Sequence, residues 1–167
     1  CSPSTAANFT AVGYYFARHL HREIKVPIGL IGSNWGGTRI EPWTPAEGFK
    51  VVPALKASHA DKLNQFAQGK PGRGTPTHMH NAMISPLLPY AIKGAIWYQG
   101  ESNNGEGMLY HEKMKALIAG WRSVWNKPDL PFYFVQLAPY KYRGDPKSLP
   151  GIWQAQLETL KVPHTGM

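Results

Sequence analysis

The chain has 167 residues, 43% of them hydrophobic, with six Trp and eight Tyr. That suffices for one domain with a real core and is too apolar for a disordered chain. The net charge of +8 is scattered, with no basic block between aromatics, which argues against a nucleic-acid partner; no apolar run reaches membrane-spanning length, and a single Cys forms no internal disulfide. An acidic substrate would still be drawn to so basic a surface.

After a loop at 1–7, Phe9, Val12, Phe16 and Leu20 recur at helical spacing, with Arg18, His21, Arg22 and Glu23 opposite. This predicts a helix ending near Lys25. Val26–Gly32 is a compact apolar run that reads as a first strand, with Pro27 tolerated at its start. It opens into Ser33-Asn34-Trp35-Gly36-Gly37-Thr38-Arg39, where paired glycines let backbone N–H groups approach a ligand without a Cβ in the way. Pro45–Phe66 has room for one or two helices, and Gln68–Thr77, rich in Gly and Pro, reads as a loop. Met79–Leu88 reads as a short helix stopped by Pro89.

Ile92–Asn103 (I-K-G-A-I-W-Y-Q-G-E-S-N) is the stretch around which the rest is organised. Ile92–Tyr98 has the apolar, β-branched and aromatic character of a strand buried on both faces of a parallel sheet. It runs directly into Gln99, Gly100, Glu101, Ser102 and Asn103. Ligands of open α/β sheets bind just beyond the carboxyl ends of strands, so this polar cluster is a candidate site. Glu106–Trp125 follows as the clearest helix: Met108, Met114, Leu117, Ile118, Trp121 and Trp125 form its apolar stripe. Glu112, Lys113, Lys115 and Arg122 hold its polar positions. Pro131–Ala138 predicts a third buried strand, 139–150 a long loop, and Gly151–Leu160 a last helix. Alternation of helix and strand means a parallel sheet with helices on both faces.

No motif completes a reaction alone. Gly100-Glu101-Ser102-Asn103-Asn104-Gly105 misses the G-x-S-x-G nucleophile elbow by one position, which leaves Ser33 and Ser102 as weak nucleophile candidates. His78 and His80 form an H-x-H without a partner carboxylate motif, poor grounds for zinc, and read as a solvated loop pair. His19, His21 and His111 fall on predicted helices as surface residues.

Pro27–Pro45 (P-I-G-L-I-G-S-N-W-G-G-T-R-I-E-P-W-T-P) and Ile92–Asn103 resemble the sialate O-acetylesterases of the SGNH (GDSL-like) hydrolase superfamily, as do Asn81–Leu87 and Pro131–Leu137. The resemblance runs over essentially the whole chain. It implies a flavodoxin-like three-layer α/β/α sandwich with a parallel sheet. It also implies an enzyme that removes acetyl groups from sugar hydroxyls with a serine nucleophile and no metal or other cofactor. Its partner is then a small molecule or glycan carrying O-acetyl groups, and an exported home, periplasmic or secreted, goes with the family. An acetyl xylan esterase, or an inactive sugar-binding module on the same scaffold, remains open at this point. The family's G-Q-S-N-M serine motif and D-x-x-H motif do not occur in this chain. The expectation is a single esterase domain incomplete at both ends, unable to hydrolyse esters alone. Carried over by position, Gly36 or Gly37 supplies a backbone N–H of the oxyanion hole and Gln99 a side-chain amide donor. Such donors stabilise the tetrahedral oxyanion of ester hydrolysis. Asn34, Trp35, Arg39, Glu101 and Asn103 are candidates to line the sugar pocket. Arg39 either meets a sialate carboxylate or pairs with nearby Glu41, the latter preferred, and Glu101 anchors its loop.

Overall fold

A computed structural model of the chain describes residues 2–56, 72, 74–142 and 145–167. They form two compact units, Cys1–Trp35 and Gly36–Met167. In the first, α1 (Pro3–Ala6) precedes α2 (Ala11–Ile24). Thr10 caps α2, its hydroxyl accepting from the Gly13 N–H at 3.2 Å. Lys25 ends it in the left-handed conformation, returning its N–H to the His21 carbonyl. Val12, assigned from its spacing to the apolar face, is exposed. The predicted strand Val26–Gly32 joins no sheet among the described residues. Extended apolar backbone becomes a strand only where a neighbour supplies the ladder, and Pro27 gives it no donor at its own position.

The second unit carries the sheet. A 3₁₀ turn at Glu41–Trp43 leads into α3 (Ala46–Val51). The stretch predicted as a helix over 79–88 is a π-helical turn, His80–Ile84, followed by a 3₁₀ turn, Ser85–Leu87. Then come β1 (Ala95–Trp97), a 3₁₀ turn at Glu101–Asn103, α4 (Leu109–Val124), β2 (Phe132–Phe134), α5 (Leu149–Thr159) and β3 (Thr165–Gly166). The strands are parallel in the order β1-β2-β3, with Ile96 opposite Tyr133 and Phe132 opposite Thr165. Parallel neighbours need a crossover, and α4 and α5 supply the two. The sequence reading missed β3, a two-residue strand too short to show a pattern. The remainder of the Pro45–Phe66 prediction, from 57 on, lies outside the described residues, as do 68–71, 73 and His59.

The core forms where α4 and α5 cover one face of the sheet. Tyr110, Met114, Leu117, Ile118 and Trp121 of α4 pack with Phe132 and Phe134 of β2 and Ile152 and Ala155 of α5. The other face is different: Ile96 is 38% exposed and Tyr133, its cross-strand partner, 44%, with Tyr98 exposed beside them. The expectation of a strand buried on both faces therefore needs correction, because an apolar run states what a face is made of and not what covers it. Met108, read as part of the α4 stripe, is also exposed, since it precedes the first turn of the helix. Among the described residues, no helix is long and apolar enough to cross a membrane.

Candidate active site

Two loops meet above the carboxyl end of β1. One is Gly36–Thr44; the other is Gln99–Glu106, which continues β1 directly. Asn103, at 0% exposure, ties them together. Its Oδ1 accepts from the Ile40 backbone N–H at 3.0 Å and from the Gln99 amide at 2.8 Å. Its Nδ2 donates to Glu41 Oε2 at 3.1 Å and to Glu106 Oε2 at 3.0 Å. Every donor and acceptor of a carboxamide can be engaged in this way. Gln99, also buried, donates through Nε2 to the Thr38 carbonyl at 3.2 Å as well as to Asn103. The Tyr110 hydroxyl lies 2.8 Å from the Gln99 carbonyl and 3.0 Å from its Oε1 and donates to this pair. Burial raises the Tyr110 pKa, so the hydroxyl keeps its proton.

Beneath these amides lies a charge cluster. Lys113, read from the sequence as a polar-face residue of its helix, is 3% exposed. It sits three residues after Tyr110 and four before Leu117, within the buried stripe of α4. Its Nζ donates to Glu41 Oε1 at 2.8 Å and to both Glu106 oxygens at 2.7 Å. Arg39, at the solvent edge, pairs with Glu41 at 3.2 Å, with Glu106, and with the Ser102 carbonyl at 3.3 Å. Two carboxylates thus face two cations. Burial would raise the Glu41 pKa, but hydrogen bonds from Lys113 and Asn103, together with the Lys113 charge, hold it at about 2. Burial pulls Lys113 below the usual lysine range, with Glu41 opposing it.

The glycines at the loop entrances differ. Gly37 is in the left-handed region (φ 71°), and a Cβ at Gly36 or Gly37 would meet no heavy atom within 4 Å. Gly100 (φ 154°) lies against the buried Leu137: a Cβ there would fall 3.0 Å from Leu137 Cδ1. The first pair leaves room beside the backbone, and the second lets the chain turn tightly out of β1.

The structure brings Gly36, Gly37, Arg39, Gln99 and Asn103 into one loop pair. Arg39 makes the Glu41 pair that the sequence reading preferred. Both hydrogens of the Gln99 amide are directed at protein acceptors. Glu101 is exposed and makes no ion pair among the described residues. Asn34 and Trp35 belong to the first unit, and Trp35 is exposed. Lys113, Glu106, Tyr110 and Thr38 were missed; the available signal was a lysine at stripe spacing on an otherwise apolar helix face.

Two histidine readings change. His80 is buried, its Nδ1 3.0 Å from Asn81 Oδ1, and burial lowers its pKa; the π-helical turn points it inward rather than to solvent. His111 is half-buried, with Nδ1 3.0 Å from Thr159 Oγ1. Neither the Ser33 nor the Ser102 hydroxyl has a histidine partner among the described residues, and that of Ser33 is buried without any.

A family model described as carbohydrate esterase, sialic acid-specific acetylesterase, matches residues 4–167. The chain belongs to this acetylesterase family. Sialate O-acetylesterase of Rattus norvegicus is 36% identical over 166 residues, covering 80% of this chain and 31% of that protein. The enzyme of the same name from Homo sapiens is 37% identical over 139 residues, covering 77% and 25%. A solved carbohydrate acetylesterase from Xanthomonas citri superposes with a TM-score of 0.77 at 38% identity, over 99% of this chain and 35% of that one. The chain thus spans less than a third of the length of these curated relatives. The acetylesterase resemblance read from Pro27–Pro45 and Ile92–Asn103 is borne out, and so is the α/β class with its parallel sheet.

Proposed function

We propose that the protein to which this chain belongs hydrolyses O-acetyl esters on a carbohydrate, sialic acid first among the substrates. The observation that carries this reading is family membership over residues 4–167. The loop pair at the end of β1 supports it chemically. Hydrolysis of an ester passes through a tetrahedral oxyanion, and preorganised N–H donors aimed at that charge supply the largest share of catalysis. By position in the family pattern, the backbone amides at Gly36 and Gly37 are the candidate donors, and a Cβ at either glycine would meet no heavy atom within 4 Å. Gln99, whose amide is committed to Thr38 and Asn103, holds the loop that faces them. No hydrogen bond joins a serine to a histidine among the described residues, and on the family resemblance the serine and its histidine base belong to the G-Q-S-N-M and D-x-x-H motifs. Asn34 and Trp35 contact the sugar on the strength of the family resemblance alone. Arg39 at the solvent edge suits a sialate carboxylate if it is released from Glu106.

The test is acetate release by the full-length protein from O-acetylated sialic acid, beside acetylated xylan. Faster release from the sialic acid supports the reading. Preference for xylan overturns the substrate assignment, and no release from either overturns the esterase assignment.

A further inference from the structure

Buried ion clusters are poor sources of stability. Removing several charges from water costs several kcal/mol per ion, and apolar replacements of similar volume are often as stable or more so. Lys113 therefore calls for a reason other than stability, and its geometry supplies one. Its Nζ is held by Glu41 from the first loop and Glu106 from the second, both of which also accept from Asn103. Asn103 holds the Ile40 N–H and the Gln99 amide, and Gln99 holds the Thr38 carbonyl, next in the chain to Gly37. A rigid helix thus sets the spacing of both loops through one ammonium group. Lys113 is three residues beyond Tyr110, which fixes Gln99 from the same helix face.

Resting on the esterase reading above, we infer that Lys113 is a positioning residue of the acetylesterase reaction: it sets the Gly36–Gly37 amides against the Gln99 loop without touching substrate. The groups facing it are Glu41 and Arg39 from the first loop, Glu106 and Asn103 from the second, and Tyr110 on its own helix. Without the ammonium, Glu41 and Glu106 are left with Arg39, itself half-exposed, as their one cation among the described residues. The two carboxylates then repel at neutral pH, and the loops separate. Protonating one carboxylate at lower pH relieves that repulsion.

The experiment is steady-state kinetics of the full-length protein and its Lys113→Met variant, per folded molecule and well below the melting temperature. Misplacing a catalytic group by an ångström costs about 10²-fold. The expected result is kcat lower by roughly 10–100-fold with KM little changed, and a variant-to-wild-type ratio that rises as pH falls. A purely structural role would lower the melting temperature and leave kcat per folded molecule intact. Should Lys113→Met not fold, Glu106→Gln/Lys113→Met keeps the net charge and removes the repulsion between the carboxylates. A kcat below wild type is still expected, because the ammonium that joins the loops is gone, but with a smaller loss, of about 10-fold, and no pH trend. Wild-type kcat in whichever folded variant is measured, with an active parent, overturns this inference and leaves the esterase reading standing. A parent without esterase activity overturns both.

Discussion

Replacing Asn103 by Ala removes a fully buried side chain that bonds to both loops. Two of its four bonds are to neutral groups, the Ile40 N–H and the Gln99 amide, and two to the carboxylates of Glu41 and Glu106. Neutral bonds contribute about 1 kcal/mol net and bonds to charged groups about 1.5–3, while each stranded buried donor costs about 1–3. The terms overlap, because a water entering the space would recover part of the loss. A destabilisation of about 4–6 kcal/mol follows, a large part of the usual 5–15 kcal/mol of a domain. Urea unfolding followed by tryptophan fluorescence measures it as a shift in midpoint at constant slope. Asn103→Asp sharpens the test. It preserves volume and acceptors, but at neutral pH it sets a third carboxylate beside Glu41 and Glu106. Its deficit should shrink as pH falls, since the introduced carboxyl group, once protonated, donates again. An Asn103→Ala protein within about 1 kcal/mol of wild type would refute the assignment of four satisfied buried bonds.

Glu41, held at about 2 against an ordinary 4.5, stabilises the fold fully above pH 4.5 and loses that contribution as pH falls towards 2. At 1.36 kcal/mol per pKa unit the loss is on the order of 3 kcal/mol, and acid titration of stability should be shallower in Glu41→Gln. Gly100→Ala adds a Cβ 3.0 Å from Leu137 at a φ disfavoured for L-residues, and should cost about 1–3 kcal/mol; in a Leu137→Ala background thermal melts should show a smaller increment. Phe132→Ala, on the covered face of β2, should cost about 3–5 kcal/mol, whereas Ile96→Thr on the open face should cost less than about 1, both read from urea midpoints.

The sequence revealed most where a periodic pattern was long. The α4 stripe, and the polar cluster following a strand, were readable because spacing and burial agree there; the α2 stripe located its helix but not the buried face, since Val12 is exposed. Val26–Gly32 misled because it has strand composition without a ladder partner in the described structure. Ile96 misled for a related reason, as nothing in an apolar run tells which face is covered. Lys113 and His80 were invisible for the opposite reason. A polar residue in a buried position looks like a surface residue until its partners, here Glu41 and Glu106 from distant segments, are known. The site residues Gly36, Gly37, Arg39, Gln99 and Asn103 came from a family resemblance; the bonding that binds them into one unit came from the fold.

The most direct test of the account joins its chemistry to its geometry: acetate release from O-acetylated sialic acid by the full-length protein and by its Asn103→Ala variant, at a temperature where both are folded. The expected result is release by the wild type and kcat lower by about 10²-fold in the variant, because the loops bearing the Gly36–Gly37 amides and Gln99 lose the carboxamide that joins them above Lys113. Equal kcat in the two proteins, or no acetate from the wild type, would contradict it.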